Sequence, residues 1–461
     1  MSNRTAWHSR GQALRVGCLS FVRPTFDVRE AERQAGEARA VLQETGPRWH
    51  VEWLLHDAVV RTVEEAEQLA RDWAPGLDGL VVQFSTFVDA RFIEAVARHV
   101  RAPIVLWAVR EPGGYGERLS LNSLTGVNLA AHHLRRIGRS CAILHGALQE
   151  PSALDRLRRT VLIWRAQARL RSWSVLAVGD APDGFSFSEP EPASLARLGL
   201  TVHRISLPDI FEKAAHVAGA QVESVLAQTA LQVAGLDALP PEPVHRYARL
   251  RSAVEQCVRE TGAQAVAIRC WPEFFTEFGG AACSTVSALT EQGVPTSCEA
   301  DILGALSMDL LQVLTDSPAY LGDLAEIDET AGAVVFWHCG AGAFSLARPD
   351  TGARAGVHPN RNLGFTLEFG LKPGDVTIFR LGEVPGTGLR ALVGRGTVLD
   401  EPQRFRGTSA KVRLAGEGDA KQRVLQVMEQ GWEPHYALAY GDVRAEILSL
   451  MASLGIAALE I

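Results

Sequence analysis

The chain has 461 residues, of which 47% are hydrophobic and 21% are charged, a composition typical of a folded globular protein. At about 150 residues per domain, this length predicts roughly three domains, and the absence of any run of about 18 apolar residues argues against a membrane span. The formal net charge of −7 excludes a generally basic surface of the kind that binds nucleic acid. Seven cysteines without a Cys-x-x-Cys pair, and an N-terminus without an apolar signal segment, predict a reduced, cytoplasmic protein.

The first part of the chain alternates short apolar runs with amphipathic segments. Such runs are typical of strands buried on both faces of a parallel sheet, and the amphipathic segments are typical of the helices that cover it. The alternation predicts a doubly wound α/β domain over residues 1–165. The predicted strands are Leu14–Phe21, Val51–His56, Gly79–Gln83 and Pro103–Ala108, and the predicted helices are Asp27–Glu44, Val63–Trp73 and Phe92–His99.

The same rhythm continues and predicts a second α/β domain over residues 166–328. Its predicted strands again lie between long helical stretches. The strands are Ser174–Val178, Leu200–Ile205 and Ala263–Ile268, and the helices are Ile210–Ala234, Pro243–Thr261, Cys283–Glu291 and Ile302–Leu314.

Near residue 330 the pattern changes to short alternating segments separated by glycine and proline. This pattern predicts an antiparallel β-barrel-like or sandwich module over residues 329–461, closed by a helix over Asp442–Leu454. The predicted fold class is therefore α/β, with two doubly wound parallel-sheet domains followed by a C-terminal antiparallel β-barrel-like domain. The predicted strands are Ala333–Trp337, Leu363–Glu368, Asp375–Leu381, Leu389–Gly394 and Ala410–Leu414.

Two acidic clusters follow apolar runs of the second domain: Arg269-Cys-Trp-Pro-Glu273 and Cys298-Glu299-Ala-Asp301. Ligands of parallel α/β sheets bind beyond the carboxyl ends of the strands, so both clusters face the expected crevice. Two carboxylates with a metal ion can move a proton between adjacent carbons of a sugar. The alternative is structural, because acids at helix N-termini interact favourably with the helix dipole, and Asp301 has the position of an N-cap. Glu277 is an equal candidate for the role of Glu273.

Two histidines are candidate ligands. His338 follows the apolar strand Ala333–Trp337 and precedes small residues, and His435 lies in Gly431-Trp-Glu-Pro-His435. Each could bind a metal, or could be a partly buried structural histidine whose ring nitrogens are hydrogen-bonded within the protein. The remaining candidates, His132, His133 and His145, have no partner at ligand spacing and are interpreted as structural.

At these residues the chain resembles the L-fucose/L-arabinose isomerase superfamily. The resemblance is carried mainly by Arg269-Cys-Trp-Pro-Glu-Phe274, Gly293-Val-Pro, Cys298-Glu-Ala-Asp301, the helix that follows, and Trp337-His-Cys-Gly340. The chain is shorter than the fucose enzymes, which suggests a divergent branch and leaves the sugar open.

The resemblance implies a metal-dependent aldose–ketose isomerase that acts on a monosaccharide or modified sugar through an enediol. It implies a divalent metal, most often Mn²⁺, bound by Glu273, Asp301 and His435, with His338 as a further ligand and Glu299 as a rival to Asp301. Glu273 and Asp301 would also act as the catalytic base and acid. A homo-oligomer, trimer or hexamer, is expected.

Substrate-binding roles are predicted for Trp271, Trp107, Arg269 and Glu299, since tryptophan faces can stack on a sugar ring. Two alternatives remain: a sugar-binding or regulatory protein on the same scaffold, and an epimerase that uses the same enediolate chemistry. Neither nucleic acid nor a membrane is expected as a partner.

Overall fold

The computed structural model describes residues 13–113 and 118–461. These residues divide into two compact units, residues 13–168 and residues 169–461. The domain boundaries that the sequence predicts, at residues 165 and 328, stay predictions. Among the described residues, no helix is both long and apolar enough to cross a membrane.

The first unit contains a parallel sheet with strand order β2-β1-β3-β4-β5 and helices between successive strands. The central strand β3 is buried along its whole length, as expected when helices cover both faces of a sheet. The strands are β1 (Leu14–Phe21), β2 (Val51–Leu55), β3 (Gly79–Phe84), β4 (Ile104–Ala108) and β5 (Cys141–His145), and the helices are α1 (Val28–Trp49), α2 (Val63–Trp73), α3 (Ala90–His99), α4 (Ser123–Arg136) and α5 (Pro151–Arg171).

The second unit begins with a smaller parallel sheet of strand order β10-β9-β6-β7. The two predicted acidic clusters directly follow two of its strands, β9 and β10. The strands are β6 (Ser174–Val178), β7 (Thr201–Ile205), β9 (Ala265–Ile268) and β10 (Thr296–Ser297), and the helices are α6 (Pro192–Leu198), α7 (Leu207–Ala215), α8 (Gly219–Ala230), α9 (Pro241–Thr261), α10 (Cys283–Glu291) and α11 (Ile302–Thr315).

The rest of the second unit is a closed antiparallel barrel of six strands in the order β16-β15-β18-β11-β12-β17, with β17 returning to pair with β16. Four further strands, β8, β13, β14 and β19, extend this sheet. The strands are β8 (Val233–Ala234), β11 (Tyr320–Asp328), β12 (Ala333–His338), β13 (Ala353–Val357), β14 (Gly364–Gly370), β15 (Gly374–Val384), β16 (Gly388–Val398), β17 (Thr408–Leu414), β18 (His435–Tyr440) and β19 (Ala457–Glu460), and the helices are α12 (Ala420–Glu429) and α13 (Arg444–Ser453).

The predicted fold class is confirmed: two parallel sheets with interleaved helices precede an antiparallel barrel. One predicted helix, Ile210–Ala234, is wrong in extent, because the chain breaks between α7 and α8 and ends in the short strand β8. Polar N-caps fix where several helices begin, since each side chain accepts a hydrogen bond from a backbone N–H of the first turn. These caps are Asp27, Thr62, Asp89, Ser206, Asp301 and Asp419.

Candidate active site

The acidic turn that connects β10 to α11 has an unusual backbone. Glu299 and Ala300 both adopt left-handed conformations, with φ of 50° and 55°. Two consecutive non-glycine residues in this region are strained, and such strain persists only where the surroundings impose it. The surroundings here are hydrogen bonds: Ala300 N–H donates to the Ile268 carbonyl at 2.9 Å, and Ser297 Oγ donates to the Asp301 carbonyl at 2.7 Å. The turn thus directs Glu299 and Asp301 to different partners.

Asp301 is completely buried and both of its carboxylate oxygens are occupied. Oδ1 accepts from the Gly304 N–H at 2.8 Å, as the N-cap of α11, and from Arg380 Nη2 at 3.1 Å. Oδ2 accepts from Arg380 Nη1 at 2.5 Å and lies 2.9 Å from His435 Nδ1. Burial alone raises the pKa of Asp301, but Arg380 and then His435 outweigh it and bring this pKa to about 2.

The second ring nitrogen of His435 faces two other carboxylates. Nε2 lies 2.9 Å from Glu299 Oε2 and 3.5 Å from Asp323 Oδ1. The edge of Phe187 packs against the imidazole, with ring centroids 5.2 Å apart. His435 therefore bridges Asp301 on one side to a pair of acidic side chains on the other.

The strand register of the barrel brings these residues together. Asp323 on β11 is the cross-strand partner of His435 on β18 and also of Trp337 on β12. The next residue of β12, His338, has its ring centroid 5.8 Å from that of His435. Its Nδ1 accepts a hydrogen bond from the Cys339 N–H at 3.0 Å, and its Nε2 is buried without a partner among the described residues. Three barrel strands thus contribute one side chain each to the site.

The charges at this centre stabilise one another. Burial raises the pKa of Glu299, but His435 and His338 lower it more. The pKa of this carboxyl therefore lies below its usual range. Burial lowers the pKa of His435, but Asp301 and Glu299 raise it well above 6.5. In the absence of another cation, a proton shared between His435 and Glu299 therefore balances the negative charge.

Glu299, His338 and His435 have the arrangement of a metal site, since one ligand atom from each lies within 4.8 Å of the others. Nε2 of His338 is buried without a hydrogen-bond partner among the described residues, and Oε2 of Glu299 lies 2.9 Å from Nε2 of His435. Metal-binding histidines commonly donate their other ring N–H to a carboxylate, as His435 can to Asp301. These features fit a divalent cation beside Nε2 of His435.

The other predicted acid, Glu273, lies in a separate ion pair. Its Oε2 and Oε1 accept from Arg269 Nε and Nη2 at 2.8 and 2.7 Å, and Arg269 lowers the pKa of the Glu273 carboxyl. Glu277, the alternative to Glu273, is exposed within the short π-helix Phe274–Phe278. The structure therefore brings together Glu299, Asp301, His338 and His435 from the predicted set, and gives Glu273 a partner outside this cluster.

The predicted substrate-binding tryptophans differ in environment. A row of aromatic rings connects Trp271 to the cluster: Trp271 packs on Phe185, Phe185 on Phe187, and Phe187 on His435, at centroid distances of 5.4, 5.7 and 5.2 Å. Trp107 is 1% exposed in the core of the first unit and donates its indole N–H to the Gly146 carbonyl at 2.7 Å.

A second group with metal-ligating atoms consists of Cys283, Cys339 and His358, again within 4.8 Å of one another. All seven cysteines are free thiols, as the sequence predicts. Cys298, which is buried, directly precedes Glu299, and Cys339, which is half-buried, directly follows His338. A thiol therefore lies beside each of two residues of the cluster.

Two residues of the centre were missed from the sequence. Asp323 lies in a strand without clear hydrophobic alternation, and Arg380 lies in a predicted strand where a lone arginine has the pattern of an exposed residue. Only the pairing of β11 with β18, and of Arg380 with Asp301, reveals them.

No protein-family model matches the chain. Similarity to solved structures is weak: a D-allose-bound periplasmic solute-binding protein from Actinobacillus succinogenes is 12% identical, with a TM-score of 0.18 over 65% of this chain and 91% of that one. A TM-score this low bears on neither the fold nor the function.

Curated relatives are much closer. A sulfoquinovose isomerase from Priestia megaterium is 41% identical over 86% of this chain and 88% of its own length. Proteins of the same name from Alkalicoccus urumqiensis and Clostridium sp. (strain MSTE9) are 42% and 35% identical, over 83% and 94% of this chain and 86% and 96% of theirs. The chain therefore belongs to the sulfoquinovose isomerase family and is an enzyme of the aldose–ketose isomerase class.

Proposed function

We propose that this enzyme interconverts sulfoquinovose and the corresponding 2-ketose and that it requires a divalent metal, with Mn²⁺ as the physiological ion. The observation that carries the metal requirement is the environment of His435: Nδ1 contacts Asp301 at 2.9 Å, while Nε2 faces the carboxylates of Glu299 and Asp323. The identity to sulfoquinovose isomerases over most of the chain supports the substrate.

The residues proposed to hold the metal are Glu299, Asp323, His338 and His435. Carboxylate oxygens with imidazole nitrogens suit Mn²⁺ and similar ions better than soft cations. The hydrogen bond from Cys339 N–H to His338 Nδ1 must give way before Nε2 of His338 can offer a lone pair. We therefore expect His338 to contribute less to metal affinity than His435.

Asp301 is proposed as a positioning residue, although the sequence predicts it as a ligand and catalytic group. Its oxygens bind Arg380, the first turn of α11 and His435, which leaves no oxygen for a substrate or a metal. Its carboxylate holds the proton of His435 on Nδ1 and so keeps Nε2 directed at Glu299 and Asp323.

Isomerisation moves one proton from C2 of the open-chain aldose to C1 and one proton from the O2 hydroxyl to O1. We propose that Glu299 and Asp323 transfer the proton between the two carbons. Glu299 can act as the base because His435 and His338 lower its pKa and so keep its carboxylate ionised and able to accept a proton. When bound, a divalent ion polarises the carbonyl and hydroxyl oxygens of the sugar and so acidifies the C2 proton.

The aromatic row from Trp271 through Phe185 to Phe187 is proposed as the apolar wall against which the sugar lies. Arg269 acts there by fixing Glu273 beside Trp271. Trp107 is proposed to be a structural residue of the first unit, because its ring is buried among the strands and helices of that unit.

Three further proposals follow the sequence analysis. The family is a short, divergent branch of the L-fucose/L-arabinose isomerase superfamily. The enzyme acts as a homo-oligomer, either a trimer or a hexamer. It works in the cytoplasm, where a reducing environment would keep its seven cysteines as free thiols.

The test is direct. The purified protein is analysed for bound metal, stripped with EDTA, reloaded with Mn²⁺, Zn²⁺ or Mg²⁺, and incubated with sulfoquinovose while NMR follows the ketose. We expect activity only when a divalent ion is added. In Glu299→Gln and His435→Asn we expect less than 1% of the wild-type activity, because loss of an essential group lowers the rate on the order of a thousandfold. Full activity after chelation, or with either variant, contradicts the proposal.

A further inference from the structure

One arginine near the site lacks a carboxylate partner. Arg361 lies in the loop between β13 and β14, is exposed, and has no acidic oxygen within 4.0 Å among the described residues. The loop is nonetheless well ordered by its backbone, since Arg361 and Asn362 N–H groups donate to the His358 carbonyl at 3.2 and 2.9 Å. The arginine is thus presented by a closed turn rather than by a free segment.

A short series of contacts connects Arg361 to the proposed metal ligands. Its Cζ lies 5.9 Å from the ring centroid of Phe275, and the edge of His358 packs against the same ring at 4.9 Å. A ring nitrogen of His358 lies within 4.8 Å of Cys339 Sγ, which is 3.5 Å from Nδ1 of His338. Phe275 itself follows Trp271 in the segment that bears the aromatic row.

The other arginines around the centre are neutralised. Arg380 is buried against Asp301, and Arg269 binds both oxygens of Glu273. Further arginines precede β17, and each has an acidic partner within 3.5 Å: Arg404 with Glu326 and Arg406 with Glu368. Arg361 therefore remains able to bind an added anion. Arg354 on β13 also has no acidic partner among the described residues, but Arg361 is the one of the two that packs on the Phe275 ring, which His358 also contacts.

His358, which contacts the same Phe275 ring as Arg361, adds a hydrogen-bond donor. Its Nδ1 accepts from the Asn360 N–H at 3.3 Å, so a neutral ring carries its proton on Nε2. Burial, with His338 and Arg361, lowers the pKa of His358 to about 4, so this tautomer persists at neutral pH. Among the described residues, the contact with Asn360 is the hydrogen bond found for the His358 ring, and it leaves Nε2 able to donate.

We infer that Arg361 and His358 form an anion subsite that binds the sulfonate group of the substrate. The inference rests on the proposed function. With C1 and C2 of the sugar held at Glu299 and His435, the sulfonate on C6 lies at the far end of the open chain and requires a cation at a distance from the metal. A sulfonate is a permanent anion, and a guanidinium binds such oxygens with paired N–H groups.

The test compares Arg361→Gln with Arg354→Gln, a matched control that removes another exposed arginine without an acidic partner, from the neighbouring strand β13. Binding is measured by calorimetry with 6-deoxy-6-sulfoglucitol, which has no carbonyl and cannot be isomerised, and with glucitol, which lacks the sulfonate. We expect Arg361→Gln to weaken binding of the sulfonated alditol about tenfold or more, with glucitol unchanged. Arg361→Lys should recover part of the loss, and Arg354→Gln should change neither.

Kinetics supply a second readout. Arg361→Gln should raise KM for sulfoquinovose about tenfold while kcat changes little, because the arginine contacts the substrate equally before and during the reaction. Raising ionic strength should raise KM of the wild type but not of the variant. Equal loss for both alditols, or no loss, overturns the sulfonate subsite alone. A wild-type enzyme that binds the sulfonated alditol through Arg361 but does not isomerise sulfoquinovose overturns the proposed function instead.

Discussion

The Nδ1 atom of His435 lies 2.9 Å from Oδ2 of Asp301, and this contact determines which ring nitrogen is available to the active site. Asp301 belongs to the turn before α11, whereas His435 begins strand β18 of the barrel. The contact therefore joins the parallel-sheet part of the second unit to its barrel. It also means that two acids separated by one residue, Glu299 and Asp301, act on opposite nitrogens of one imidazole.

Asp301→Asn tests this division of roles. The amide can still cap α11 but no longer holds the Nδ1 proton as a carboxylate does, so the orientation and basicity of His435 weaken. We expect metal affinity to fall about 10- to 100-fold, the usual effect of changing a group that supports a ligand, and saturating Mn²⁺ to restore part of the activity. Titration calorimetry and activity against Mn²⁺ concentration measure both effects.

Glu299→Gln is the matched comparison, since it changes the neighbouring acid in the same turn. Its activity should not return at any Mn²⁺ concentration, because the base is lost with the ligand. If Asp301→Asn is the variant that saturating metal does not rescue, the sequence-based assignment of Asp301 as ligand and catalytic acid is the better one.

Metal binding should release a proton from His435. The pKa of this residue lies well above 6.5 because Asp301 and Glu299 outweigh the effect of burial, so the metal-free site is protonated at neutral pH. Displacement of one proton makes the apparent Kd for Mn²⁺ rise about tenfold for each pH unit below that pKa. The stabilisation by a fixed Mn²⁺ concentration, about 2.7 kcal/mol at 100 times Kd, should therefore shrink as pH falls.

In the metal-free protein the sign is reversed. A histidine with a raised pKa contributes stability that is fully present below its unfolded pKa of about 6.5 and lost as pH rises through the folded value. Thermal unfolding at pH 6, 7 and 8, with and without Mn²⁺, separates the two trends. A Kd for Mn²⁺ that is constant across this range contradicts the protonated site.

Glu273→Gln addresses the acid that the sequence predicts as the first ligand. Because Arg269 binds both oxygens of Glu273, and both side chains are only 16% and 24% exposed, we expect a loss of about 1 kcal/mol in the free energy of unfolding. Metal content should be unchanged, and activity should fall far less than in Glu299→Gln. Arg269→Gln serves as the control, since it breaks the same ion pair from the other side.

Loss of bound metal in Glu273→Gln, with metal retained in Arg269→Gln, contradicts this expectation. It would identify Glu273 as a ligand that leaves its arginine when the ion binds.

Strands buried on both faces were predictable because each is a short apolar run bounded by turns. Ser174–Val178 and Leu14–Phe21 agree with the structure at both ends. Other strands were missed: β5 is only partly buried, β11 carries polar residues on both faces, and β18 is buried but begins with His435 directly after a proline. The predicted helix over 210–234 extended too far, because the helical pattern continues through the break at Val217-Ala218-Gly219.

The sequence predicted where the site lies better than it predicted the roles of the residues in it. Both acidic residues of the turn were candidates, but the left-handed backbone at Glu299 and Ala300, which directs them apart, leaves no signal in residue types. Asp323 meets His435 only through the antiparallel register of β11 and β18. A single sequence does not specify that register, since a shift by one residue would turn Asp323 to the other face.

Arg380→Met tests the buried ion pair beneath the site. Both partners are 0% exposed, and removal of one leaves an uncompensated buried charge, so we expect a loss of about 3–5 kcal/mol in the free energy of unfolding. The contribution of Asp301 in the wild type also depends on pH. Its folded pKa of about 2 lies below the unfolded value of about 3.9, so the stabilisation is complete above pH 4 and is lost as pH falls towards 2.

Chemical denaturation at pH 7, repeated between pH 5 and pH 2, measures both effects. Arg395→Met breaks the exposed pair with Asp442, whose side chains are 49% and 50% exposed, and should cost less than about 1 kcal/mol. Arg380→Met should also lose the acid-dependent part of its stability, because Asp301 without its arginine no longer has so low a pKa. The double variant Arg380→Met/Asp301→Asn should recover part of the loss, since neither partner is then left charged and unpaired. Equal effects of Arg380→Met and Arg395→Met would show that the Asp301–Arg380 pair does not stabilise the fold.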